Sequence, residues 1–197
     1  MSYENFLNMK LLRICLFFAF IVSACVCAYT SYAQQASQQE RYIDGEHGFS
    51  INPPKGWFRH LIQSASPDAP QTGVSYSKNP DERELPIIGI TMDPIPDNLA
   101  KNGVLDFSNL TLALYRELAS QSKGEVVTIE QPHEIDVNGL KGSRVIFDVK
   151  GPNGAARILD CKFTKKDKLI SIQGVDTPED FDNNLREFEG VVNSFKF

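Results

Sequence analysis

IDVNGLKGSRVIFDVKGPNGAARILDCKFTKKDKLISIQGV, residues 135–175, reads as a chain of hairpins. Asn138-Gly139 is the two-residue turn whose backbone twist matches the strands it joins. After it, Val145, Phe147 and Val149 alternate with Arg144, Asp148 and Lys150, the period of a half-buried strand. Gly151-Pro152-Asn153-Gly154 turns the chain into a strand from Ala156 to Thr164. Lys166-Asp167 turns it again into Leu169 to Val175. Three consecutive strands joined by tight turns make an antiparallel meander.

Downstream, Thr177-Pro178-Glu179-Asp180 has the residues of a helix start. Thr177 caps, Pro178 suits the first turn, and the two acids face the positive end of the helix dipole. Phe181, Leu185, Phe188 and Val192 give that helix one apolar stripe, and Asn193 to Phe197 close the chain. Upstream, Val126 to Ile129 reads as a strand, preceded by a helix from about Asp106 to Ser122. Phe107, Leu110, Leu114 and Leu118 fall on one face at period 3.6, and Leu112 and Tyr115 broaden that stripe. Asp106 reads as its N-cap and Gly124 as its stop.

Farther towards the N-terminus, 41–44 and 49–52 read as a short hairpin ended by Pro53-Pro54. Strands follow at 57–61 and 73–77. Ile87 to Met92 is apolar on both faces, as a central strand requires. An antiparallel sheet with two helices far apart in sequence is an α+β fold, with helices covering the sheet faces.

Residues 1–33 read as a cleavable signal peptide. Lys10 and Arg13 precede the uncharged run Ile14 to Ala28, and Ser31-Tyr32-Ala33 is a small-x-small site with cutting before Gln34. The run has 15 residues, short of the roughly 20 a membrane-spanning helix needs. Val22-Ser23-Ala24-Cys25 competes as a lipobox, in which Cys25 is acylated and anchors the chain. Met9, next to Lys10, is an alternative start. Residues 34–40, QQASQQE, read as a flexible spacer, and 41–197 as a single domain of a size that buries a real core.

The chain has a net charge of −5, and the leader's Lys10, Arg13 and Glu4 make the mature part more negative still. Such a domain lacks the basic footprint that nucleic acid demands. It is equally unsuited to an anionic lipid surface, which leaves the N-terminal lipid as the one membrane link. Of Cys15, Cys25, Cys27 and Cys161 only the last survives the soluble cut, so no internal disulfide is expected. Alternation in Leu159 to Phe163 puts Cys161 on the apolar face, as a small buried hydrophobe rather than a nucleophile.

Gly48-Phe49-Ser50-Ile51-Asn52-Pro53-Pro54-Lys55-Gly56-Trp57 resembles the "F-x-I-x-x-P-x-x-W" start of PsbP-like domains. That superfamily includes the PsbP extrinsic proteins of photosystem II, Ran-binding Mog-type proteins and many bacterial lipoproteins of unknown role. The element order and the closing Asn193-Ser194-Phe195 fit the same pattern, and the resemblance covers about residues 41–197. It implies an α/β/α sandwich around a mostly antiparallel sheet, with Phe49, Pro54, Trp57 and Phe195 as core residues. It further implies a binding or assembly factor rather than an enzyme, with no cofactor and no transferable binding residues. The leader is not the Arg- and Ser-rich segment of a chloroplast transit peptide, which argues against a photosynthetic role.

No catalytic constellation stands out. His47, His60 and His133 show no metal-ligand spacing. His133-Glu134 with Asp136 is a weak loop-ligand set. Glu179, Asp180 and Asp182 are explained mainly by helix capping. Lys162, Lys165, Lys166 and Lys168 read as a solvated hairpin tip that discourages edge pairing. Gly73 to Ser77 begins like a nucleophile elbow but lacks the closing glycine, and the Asn109-Leu110-Thr111 sequon falls in a helix. The expectation is an exported, non-enzymatic binding or assembly module of the bacterial envelope, acting on a protein partner in the periplasm or outside the cell. The rivals are a lipid-anchored form of the same fold, and a hydrolase or metal-dependent enzyme built from the loops 62–72, 79–85 and 93–104.

Overall fold

In the structure, a computed structural model that describes residues 34–35, 41–45, 47–62, 73–81, 84–95, 99 and 101–197, the meander is four strands long. They are β7 (Glu125–Val137), β8 (Leu140–Gly151), β9 (Gly154–Lys165) and β10 (Lys168–Asp176). Before them come β1 (Gln34–Gln35), β2 (Tyr42–Asp44), β3 (Phe49–Ile51), β4 (Phe58–Ile62), β5 (Gly73–Ser77), β6 (Ile87–Pro94) and the helix α1 (Val104–Gln121). The helix α2 (Phe181–Ser194) follows them. One eight-stranded sheet runs β1-β4-β5-β6-β10-β9-β8-β7, and β2 pairs with β3 separately. Every pairing is antiparallel. The α+β architecture read from the sequence is the observed one.

The helices lie on opposite faces. Alternate residues of β8, β9 and β10 feed two cores. Val145, Phe147 and Ile158 pack with Leu112 and Tyr115 of α1. Ile146, Leu159, Cys161, Phe163, Ile170 and Ile172 pack with Phe181, Phe188 and Val192 of α2. The second core also takes Ile88, Ile90 and Met92 of β6, Val74 and Tyr76 of β5, and the β2–β3 hairpin through Phe49 and Ile51. Gly174 makes room for α2: a Cβ there would sit 2.5 Å from Cγ of Phe188.

Three elements differ in detail from the sequence reading. β7 is one continuous strand, not two, because bulges between Thr128 and Glu130 and between Glu130 and His133 absorb Pro132. Proline is tolerated there because β7 is an edge. The first residue of α1 is Val104, with Gly103 at the N-cap; Asp106 sits inside the first turn and accepts the Gly103 N–H at 2.8 Å. Its buried row is Phe107, Ser108, Leu112, Tyr115 and Ala119, so the stripe through Leu110 is rotated off the sheet and Leu110 is exposed. At the other end Lys123, not Gly124, takes the left-handed backbone position. Finally α2 begins at Phe181, after a turn in which Thr177 O accepts the Phe181 N–H.

Residues 1–33, read from the sequence as a signal peptide with Cys25, lie outside the described residues, as do residues 36–40 of the expected spacer. The spacer's first two residues, Gln34 and Gln35, pair with Arg59 and Phe58. Among the described residues no helix is long and apolar enough to cross a membrane.

Candidate functional site

Residues directly opposite on antiparallel strands share a face. Register therefore gives two rows across the α1 side of the sheet. One row is Asp160, Gln173, Gly89, Ser75, His60, from β9 to β4. The next is Ser143, Lys162, Ser171, Thr91, Gly73, from β8 to β5. Both rows are polar or glycine throughout. α1 lies over β7, β8 and β9, and no described helix lies over the strip on β6, β5 and β4.

The polar groups of this face are nonetheless buried. Asp160 is 0% exposed and Lys162 2%. Their side chains form an ion pair, Lys162 Nζ to Asp160 Oδ1, at 3.0 Å. Lys162 Nζ also donates to Ser171 Oγ at 2.9 Å, and Gln173 Nε2 donates to Asp160 Oδ1 at 2.9 Å. One edge of the cluster is tied to α1. Ser143 Oγ donates to Val104 O at 2.9 Å and is paired with Ser108 Oγ at 2.6 Å. Asp160 Oδ2 has no hydrogen-bond partner among the described residues.

Burial sets the electrostatics. It pushes the Tyr115 phenol well above its usual range, helped by the Asp160 carboxylate and opposed by a hydrogen bond with Gln173. It also raises the Asp93 carboxyl, against the pull of the Lys162 ammonium. The face holds hydroxyls, amides and the His60 imidazole around the Asp160–Lys162 ion pair, with the Asp93 carboxyl on the same side.

The residues singled out in the sequence are scattered. His47 pairs with Asp44 at 3.0 Å, His60 Nε2 with Ser77 Oγ at 2.8 Å, and His133 faces Glu130 at 3.4 Å. Among the described residues no group of three or more His, Cys, Asp or Glu is placed to hold a metal. Cys161 is buried on the α2 face, and burial drives its thiol pKa up, first by desolvation and then by Asp160. Lys162 is the exception to the solvated hairpin tip: it lies on the α1 face, in the ion pair with Asp160. Asp180 is the N-cap residue of α2. Phe49, Trp57 and Phe195 share the α2-side core, and Pro54 is buried. The Phe195 ring stands 5.8 Å from Phe49 and 5.6 Å from Phe163. The loops 62–72, 79–85 and 93–104 fall partly outside the described residues.

The polar face itself escaped the sequence reading. Its signal was the even-numbered set Asp160 and Lys162 on a strand whose odd-numbered set is apolar. That pattern normally marks a solvated face.

No protein-family model matches the chain, and no curated protein matches it by sequence. Solved structures do match. Cyanobacterial PsbP (CyanoP) from Synechocystis is similar over 88% of this chain and 98% of its own, with 21% identity and a TM-score of 0.61. LpqN of Mycobacterium tuberculosis, involved in cell envelope biogenesis, is similar over 85% of this chain and 91% of its own, with 8% identity and a TM-score of 0.51. The fold is PsbP-like.

Proposed function

We propose that the chain is an exported, non-enzymatic binding or assembly module of the bacterial cell envelope that engages a protein partner. The observation that carries this reading is the outer edge of the sheet. Strand β7 has 13 residues, and among the described strands it pairs only with β8. Val127 and Ile129 stand 36% and 50% exposed on it. An open edge with adjacent apolar side chains offers backbone hydrogen bonds and apolar contacts to an extended segment of a partner. The bulges and Pro132 beyond Thr128 limit pairing to the segment before them. The kinship in fold with a PsbP and with an envelope protein supports the same reading, as does the leader sequence.

The test is a photo-crosslinking residue at Ile129 in the producing cell, with the same residue at Lys55 as control. A discrete adduct at Ile129, lost in a Val127→Asp background and absent at Lys55, is the expected result. No adduct at Ile129, or equal adducts at both sites, sinks the proposal. The Val22 to Cys25 sequence favours a second reading, the lipid-anchored form. Mass spectrometry of the mature N-terminus separates the two: Gln34 for the soluble form, acylated Cys25 for the anchored one.

A further inference from the structure

The open edge of β7 begins at a hollow. An open concavity of about 360 Å³ lies there, lined by Lys123, Gly124, Glu125, Lys150, Gly151 and Pro152. Lys150 Nζ pairs with Glu125 Oε1 at 3.2 Å, and both side chains stay largely exposed. Lys123 is exposed and has no ion-pair partner among the described residues. Two ammonium groups therefore face one carboxylate. The hollow carries a positive excess on a chain whose net charge is −5. α1 ends beside it, but the carbonyls of Leu118, Ala119 and Ser120 accept the N–H groups of Ser122, Lys123 and Gly124. An anion in the hollow does not meet those oxygens bare.

We propose that the β7 edge takes the extended C-terminal tail of its partner, with the terminal carboxylate seated between Lys123 and Lys150. The inference rests on β7 being a partner-binding edge, and it names the part of the partner that binds. One carboxylate balances the positive excess of the hollow. Direction agrees with it. A strand added antiparallel to β7, as every pairing in this sheet is, runs from Ile129 towards Glu125 and brings its C-terminal end to the hollow. A parallel strand would lead with its N-terminal side there, and an ammonium terminus would be repelled by the lysines. Length agrees as well. The bulges confine regular pairing to the stretch from Glu125 to about Ile129, so a short tail fills it and stops at the hollow. With the last residue opposite Glu125, the third and fifth residues from the end stand opposite Val127 and Ile129. Those two side chains are exposed and apolar, so the tail is apolar at the same two positions.

The test starts from the adduct of the photo-crosslinking residue at Ile129 and maps it on the partner by mass spectrometry. Attachment within about the last six residues of the partner chain is expected. Attachment farther inside overturns this inference and leaves β7 a partner-binding edge, whereas the absence of any adduct removes both. The mapped tail is then made as a fluorescent synthetic peptide in two forms, free acid and terminal amide. By anisotropy the acid should bind at least about tenfold more tightly than the amide. Lys123→Gln combined with Lys150→Gln should cut that preference to about twofold or less. Both lysines are exposed, so the double variant keeps the fold. Lys141→Gln, at the other end of the β7–β8 hairpin, should leave the preference unchanged. Equal binding of acid and amide by the parent overturns the proposal. So does a preference that survives the double variant, or one that Lys141→Gln abolishes equally.

Discussion

Lys162 and Asp160 stand two residues apart on one strand, and neither is exposed enough for water to solvate it. Their attraction therefore has to compensate for two desolvation costs, and it does so only while both are present. Lys162→Met leaves Asp160 charged and unpaired in the interior. We expect a loss of about 3 to 5 kcal/mol in urea unfolding. Lys162→Met combined with Asp160→Leu should return to within about 1 kcal/mol of the parent or exceed it, since an apolar pair of similar volume often does as well. A single and a double variant of equal stability would show the pair to be solvated instead.

Asp93 gives a pH signature at the same scale. Burial raises its carboxyl above the ordinary aspartate value, so the folded state binds its proton more tightly than the unfolded chain does. The neutral form thus favours folding, and stability is lost as pH rises from the ordinary value through the raised one. Asp93→Asn should be more stable than the parent at pH 7. That advantage should vanish once the pH is below the ordinary aspartate value. An advantage that is the same at both pH values would point to a cause other than ionisation. Alternation in sequence placed Cys161 on the apolar face correctly, yet it could not show that the opposite face of the same strand is dry. That depends on register across four strands, which no local pattern carries.

Elements were more legible than their phases. Strong turn residues and period-two alternation located β8, β9 and β10 almost to the residue. α1 was found with its buried Phe107, Leu112 and Tyr115, but the stripe was centred too far towards Leu110, because the helix has apolar residues on more of its circumference than the sheet covers. β7 was split by Pro132, whose place on an edge is a tertiary fact. The β7–β8 turn shows how one residue joins elements. Asn138 has φ 54° and Gly139 φ 80°, the pair of positive values that the tight turn demands. Asn138 Nδ2 also donates to Asn193 O at 3.0 Å and Phe195 O at 2.8 Å, tying the hairpin to the end of α2. Asn138→Ala loses both bonds and strains the backbone, at a cost of about 2 to 4 kcal/mol. Asn138→Gly keeps the turn and loses only the bonds, so it should cost about half as much. Equal losses would mean that the bonds to α2 contribute little.

At the scale of the molecule, two cores on opposite faces share the same three strands. Val145 and Phe147 face α1 while Ile146 between them faces α2; Ile158 faces α1 while Leu159 faces α2. Neither helix can leave without exposing one side of strands that the other still needs, so the faces should unfold together. The chain tail adds to this coupling. Ser50 N donates to Lys196 O at 2.8 Å and Lys196 N to Ser50 O at 2.9 Å, which fastens the β2–β3 hairpin to the last residues. Trp57 is the single tryptophan, and it lies in the α2-side core 6.2 Å from Phe188. Its fluorescence reports that core alone, whereas far-ultraviolet circular dichroism reports α1 as well. The two signals should give one urea transition with the same midpoint. Dithiothreitol should not move it, because Cys161 is a free buried thiol and the one cysteine among the described residues. If dichroism is lost at lower urea than fluorescence, α1 is a separable layer.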